Sequence, residues 1–272
     1  MKHYIKLYFT CIKRSLMSRL EYKQSLLIAI IAFLISNVAS ILSIYFVVNA
    51  IPELKVADQG VWNIWQIGFL YGFTMLPVAI DHFFSDELWL VSYRRVKDGS
   101  LDPHFLRPAP TLFMVIAETF QPEGLGELIV GITMLLVCGL NPSVQVLISG
   151  GNVFLFIVSI LFGAMIITSF KIMIAGLAFV MKSSGPVLQV IYNAISYLKY
   201  PRGIYPFAIK IILTFILPFA IFISFPVEIF LGYSSINPWI LSSIIIGVAI
   251  GLFALSILVW SLCAKKYEST GS

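Results

Sequence analysis

The segment from Gly150 to Met181 holds one charged residue, Lys171, in an otherwise apolar run broken only by a few small polar side chains. At 1.5 Å per residue a helix of that length exceeds the roughly 30 Å hydrocarbon core of a bilayer, so a chain containing it is suited to lipid. Similar runs recur at residues 25 to 50, 62 to 83, 124 to 140, 204 to 231 and 238 to 263, which makes six candidate spans. Trp62, Trp65 and Tyr71 near the outer end of the second, and Trp239 and Trp260 near the two ends of the sixth, fit interfacial aromatic belts. Composition agrees: 59% of residues are hydrophobic and 11% charged, against roughly 25% charged in soluble domains. The expected fold is all-α and polytopic, with residues 1–272 forming one transmembrane domain.

Charge orients the spans. Lys2, Lys6, Lys13, Arg14, Arg19 and Lys23 precede the first, and Arg94, Arg95, Lys97 and Arg107 lie between the second and third. Lys182, Lys199, Arg202 and Lys210 fall between the fourth and fifth, and Lys265 and Lys266 follow the sixth. These sixteen of the eighteen basic residues share one side of a six-span topology. The positive-inside rule makes that side cytoplasmic and predicts cytoplasmic N- and C-termini. A pI near 9.0 points to anionic lipid headgroups rather than nucleic acid, because the basic residues flank apolar runs without an interleaved base-stacking stripe. The apolar run after Ser25 is too long for a signal-peptide core and is expected to remain as the first span. Cys11, Cys138 and Cys263 have no neighbours at disulfide or metal spacing, which gives them no redox role.

Two apolar segments are too short to cross. Within residues 1–23, Ile5, Tyr8, Phe9, Ile12, Leu16 and Leu20 recur at helical spacing with Lys6, Lys13 and Arg14 elsewhere, which predicts an amphipathic helix lying in the headgroup plane. Residues 186–200 repeat the device: Val187, Ile191, Ala194, Ile195 and Leu198 face one way, Gln189, Asn193, Ser196 and Lys199 the other.

Residues 84–112 form the most charged connection. Their centre reads GSLDPHFLRPAP, with Asp102 before Pro103 marking a turn or helix start and Pro108 and Pro110 stiffening the exit. A stiff loop of alternating sign that also carries Leu101, Phe105 and Leu106 reads equally as a solvated connector and as a docking element. Asp81, His82 and Asp86 close the second span, where an interfacial position accounts for them without a ligand. Lys171 lies about 15 Å deep, at ten residues from the end of its span. There it either snorkels over Thr168 and Ser169 or lines an internal cavity. Ser36, Asn37, Ser40 and Ser43 share a face of the first span and read as helix-packing residues. Pro206, Pro218 and Pro226 bend the fifth span, and Glu228 near its outer end reads as an interfacial carboxylate or an exit lining.

No GxxxxGK[ST], HExxH or GxSxG run occurs, and no filter segment stands out, so the chain has no nucleotide site, catalytic set or metal cage of its own. The readings left are the membrane half of a pump and an ion- or proton-gradient-driven carrier, whose relay would fall to Lys171, Asp81 and Glu127.

GSLDPHFLRP at 99–108 and the stretch YPFAIKIILTFILPFAIFISFPVEIFLG at 205–232 resemble the bacterial type-2 ABC exporter permeases of the ABC-2 family transporter protein group. The resemblance implies a permease half-pathway that pairs with an identical or related second permease and recruits two copies of a cytosolic ABC ATPase. ATP and Mg²⁺ would sit on that partner, with none bound by this chain. It assigns Gly99, Leu101, Asp102, Arg107 and Pro108, beside Arg94 and Arg95, to the loop that abuts the ATPase. Tyr205, Pro206, Pro218, Phe219, Pro226 and Gly232 fall in a bent fifth span. A bacterial plasma-membrane location and export of amphipathic, cationic or antibiotic-like compounds are the corresponding expectations.

Overall fold

The structure is a computed structural model and describes residues 2–50, 55–56, 60–118 and 120–269. Helix α1 (Lys2–Glu21) precedes α2 (Lys23–Ala50), and a short antiparallel pair, β1 (Lys55–Val56) with β2 (Gly60–Val61), follows. Helix α3 (Ile64–Ser85) starts at a capping box: Asn63 accepts from the Gln66 backbone N–H at 2.9 Å while Gln66 Oε1 accepts from the Asn63 backbone N–H at 3.0 Å. Below α3, a short α4 (Glu87–Leu90) runs into a π-turn at Val91–Arg95, then α5 (Asp102–Phe105) and α6 (Thr111–Glu118). A 3₁₀ turn at Pro122–Gly124 leads into α7 (Leu125–Gly139), and α8 (Gly150–Met181) starts on the Ser149 cap. Then come α9 (Gly185–Tyr197), α10 (Phe207–Ile211, continued by a π-turn to Ile216), α11 (Phe219–Phe222), α12 (Ser224–Phe230) and α13 (Pro238–Ala264). Among the described residues five helical segments are long and apolar enough to cross a bilayer, and the pair 207–216 and 219–230, bent by 78°, makes a sixth such stretch if counted as one.

The core is built around α3, which packs against α7 and α8, while α13 lies along α8. Gly72 lets α3 touch α7: a Cβ there would stand 2.9 Å from the Leu135 nitrogen and 3.0 Å from the Gly131 carbonyl. Gly163 of α8 is likewise covered by the Phe222 ring, which occupies the place a Cβ would take. At the other extreme, α2 is mostly exposed and largely apolar outside its one polar face, as suits a helix whose solvent is lipid. A second apolar cluster joins Leu88, Val91, Leu101 and Val115 to Ile172, Phe179 and Trp260, fastening segment 84–112 under the ends of α8 and α13. Helix α1 packs beside it, with Tyr4 and Tyr8 against Phe113 and Arg19 paired with Glu123 at 2.5 Å.

The fifth traverse differs from expectation. Residues 186–200 do not lie along one surface. The Ser184 N–H donates to the Ser92 carbonyl at the end of the bundle occupied by α4, the Leu198 carbonyl meets Thr74 halfway along α3, and Arg202–Ile204 packs on β1 at the opposite end. The chain therefore traverses the bundle between 184 and 204 with only a short helix, the buried Leu188, Ile191, Ala194 and Ile195 facing the core.

Residues 207–230, the expected fifth span, begin and end at that opposite end. Arg202 just before them pairs with Glu228 near their close, and the Leu147 N–H of the α7–α8 connection donates to the Phe230 carbonyl. Between, Phe219 reaches Phe170 of α8, so the segment dips into the bundle and comes back. The prolines explain the correction: Pro218, at φ −71° and ψ 42°, breaks the helix where the path turns, so apolar length there does not become a straight crossing. In consequence Lys199 sits midway along the bundle and Arg202 at its far end, outside the basic group to which orientation by charge assigned them.

Candidate functional site

Lys171 is 1% exposed yet does not snorkel. Its Nζ lies 2.6 Å from Asp81 Oδ2 and 3.0 Å from Asp86 Oδ1, with the Tyr192 ring centroid at 5.3 Å. An unpaired charge at such depth costs about 3 kcal/mol or more, and here two carboxylates offset it. Asp81 is saturated, since it also accepts from Ser85 Oγ and, at 2.7 Å, from Thr168 Oγ1. Next to this group His82 Nδ1 meets Glu127 Oε2 at 3.0 Å, its Nε2 stands 3.7 Å from Asp86, and Phe33 packs edge-on to its ring.

These side chains form the floor of a cavity of about 490 Å³ between α2, α3, α7, α8 and α9. Ser36, Asn37 and Ser40 of α2 line its upper wall with Lys199, and Trp89 stands at its edge. The Asn37 Oδ1 accepts from the buried Tyr71 hydroxyl at 2.8 Å. In the sequence Asp81, His82 and Asp86 read as interfacial residues, Asp81 and Glu127 joined Lys171 only as the relay of a gradient-driven carrier, and the polar residues of α2 read as packing groups. The available signal was Lys171, a charge deep in one apolar run, together with Asp81 near the same end of another, because an unpaired charge at that depth is costly.

Segment 84–112 divides into buried anchors and an exposed tip. Arg95 pairs with the buried Glu87, and Leu101 is buried in the second apolar cluster. Gly99 adopts φ +67°, which closes the turn into α5. Asp102 accepts from Ser269 Oγ at 2.6 Å and Tyr267 OH at 2.5 Å, and the Tyr267 ring stacks on Phe105 at 4.6 Å. The residues after α13 therefore clasp α5. Those hydroxyls, Ser269 first, hold the Asp102 carboxyl below the usual carboxylate range. Its unfolded value lies near 3.9, so the clasp is expected to persist at all higher pH and to loosen only as pH falls below it. Hydrogen exchange at residues 267–269 across pH 3–7 measures this.

Arg107 pairs with Glu118, which also meets His104 Nε2 at 2.6 Å, while Arg94 is exposed and spans to Asp98 at 3.3 Å. Pro108 is exposed, and Leu106 beside it is 87% exposed.

Of the residues expected along a pathway, only Lys171 reaches the polar cavity. Tyr205 donates from its hydroxyl to the Tyr197 carbonyl at 2.6 Å, Pro206 caps α10, and Pro226 is buried within α12. Glu228 is 2% exposed, not an interfacial carboxylate in water: Arg202 reaches it through Nε at 2.7 Å and Nη2 at 3.1 Å while stacking on Phe225 at 4.0 Å.

No curated protein and no solved structure matches the chain. The family model described as ABC-2 family transporter protein matches residues 34–271, from the middle of α2 to the residues beyond α13, including segment 84–112 and every cavity-lining residue except Phe33. With most of its length matched and a helical bundle suited to lipid, this chain belongs to the ABC-2 family of transporter membrane proteins.

Proposed function

We propose that the chain is one permease of an ABC exporter in a bacterial plasma membrane, working beside an identical or related permease and driven by two copies of a cytosolic ATPase that hold ATP and Mg²⁺. The observation that carries this reading is Asp86. It caps α3, opens the segment expected to meet the ATPase, and holds Lys171 in the cavity at 3.0 Å. Displacement of α4 to α6 therefore acts directly on the cavity floor, provided the loop makes different contacts in two ATPase states. The N-terminal helix and the positive end of the bundle would face the cytosol, with α1 against headgroups and α6 at once.

A gradient-driven carrier would use the same buried charges, but Lys171, Ser85 and Thr168 already occupy Asp81, and a coupling ion would have to displace one of them. Affinity purification in mild detergent tests the proposal: a P-loop ATPase should co-elute, and the permease alone in liposomes should pass no solute. Flux from such vesicles without ATPase would overturn it.

The exposed tip sharpens the test. Leu106→Asp is expected to lower ATPase co-purification at least tenfold while changing stability by less than about 0.5 kcal/mol, as for a surface site. Joint charge reversal at Arg94 and Arg107 should uncouple transport with insertion intact, and Asp102→Ala should do so by releasing the clasp. Arg95 differs: reversing it strands buried Glu87, so lower yield is expected as well.

A further inference from the structure

The two lysines of the cavity, Lys171 buried and Lys199 half-buried, are treated unequally. Lys171 has two carboxylates within 3.0 Å, whereas Lys199, at the depth of Thr74, donates only to the Ser40 hydroxyl at 3.3 Å and faces the Tyr71 ring at 5.5 Å. Among the described residues no carboxylate stands within ion-pair distance of Lys199. A cation that deep is costly without an anion.

The opposite pole is short of positive charge. Asp81 and Lys171 neutralise each other, Asp86 leans on that same lysine, and Glu127, which hydrogen-bonds His82, attracts Lys199 only from beyond ion-pair distance. Phe33 contacts His82 at the acidic pole and lies seven residues from Ser40 at the basic one. The poles are therefore about 10 Å apart along α2, with Ser36 and Asn37 of that helix and the apolar Met75, Val78, Ile167 and Ile195 of its neighbours lining the space between them. A lone anion would satisfy Lys199 and worsen the acid excess, and a lone cation would do the reverse. A ligand bearing both charges relieves both poles.

We propose that this cavity binds a small apolar zwitterion, its acid group on Lys199 and Ser40 and its ammonium on Glu127 and Asp86, beside the Phe33 and Trp89 rings. The volume of about 490 Å³ suits a molecule of dipeptide size. The permease reading is needed only to call this ligand a transported one; binding is measured without any ATPase, so either claim can fail alone.

The probe is tritiated phenylalanyl-phenylalanine, bound to the full chain in nanodiscs and read by scintillation proximity. Its C-terminal amide, a cation only, and its N-acetyl derivative, an anion only, serve as competitors of nearly equal shape. The dipeptide should bind at least tenfold tighter than either. Lys199→Gln should reduce its affinity to that of the amide, Glu127→Gln to that of the N-acetyl form, and Lys199→Arg should retain it. Displacement by lysophosphatidylethanolamine but not lysophosphatidylglycerol would support the same pair of charges and name a lipid as their source. Absence of binding, equal competition by either singly charged form, unchanged affinity in both neutralised variants, or loss in a monodisperse Lys199→Arg sample would each overturn the proposal.

Discussion

Lys171→Met is expected to destabilise the protein by about 3–5 kcal/mol, the usual penalty for removing one partner of a buried ion pair and leaving the other charged. Asp81, 3% exposed, would keep its carboxylate in an apolar interior with only the Ser85 and Thr168 hydroxyls on it. Thermal unfolding in detergent should show the loss, and adding Asp81→Asn should restore most of it because no buried charge is then stranded. Wild-type stability in the single variant would mean that the lysine does not hold these carboxylates. Transport should fail in both variants, since Asp86 loses its hold on α8 either way.

Arg202→Ala is the second large effect, again about 3–5 kcal/mol locally, because Glu228 is buried and its guanidinium partner is bidentate. The loss should concentrate in residues 207–230, whose two ends this pair closes. A cysteine placed at Phe219, fully buried against Phe170 and Phe222, should react with a membrane-impermeant maleimide faster in the Arg202→Ala background than with Arg202 present. Equal labelling in the two backgrounds would show that the pair does not restrain the segment. Glu228→Gln, which removes the stranded charge, should be milder than Arg202→Ala.

Much of the bundle was legible because lipid imposes a length and a hydropathy on any crossing helix. The expected runs 25 to 50, 62 to 83, 124 to 140, 150 to 181 and 238 to 263 fall within two residues of the helical segments Lys23–Ala50, Ile64–Ser85, Pro122–Gly139, Gly150–Met181 and Pro238–Ala264. The same rule misled at the one place where length and path part company. Residues 204–231 are apolar enough to cross but turn back at Pro218, while the stretch 184–204, whose helical segment read as too short, makes the traverse. Gln189, Asn193 and Ser196 looked like a headgroup-facing stripe because periodicity reports which residues share a face and not what that face meets.

The charged site shows the same division. Local patterning determined that this chain is a helical membrane protein, that a proline-stiffened loop follows its second span, and that Lys171 lies deep in a span, since each follows from residues close together in sequence. Pairing of Lys171 with Asp81 and Asp86, of Glu127 with His82, and of Glu228 with Arg202 joins residues 26 to 90 positions apart. Those contacts depend on which helices become neighbours, and the Gly72–Gly131 approach and the return at Pro218 decide that only once the chain is packed.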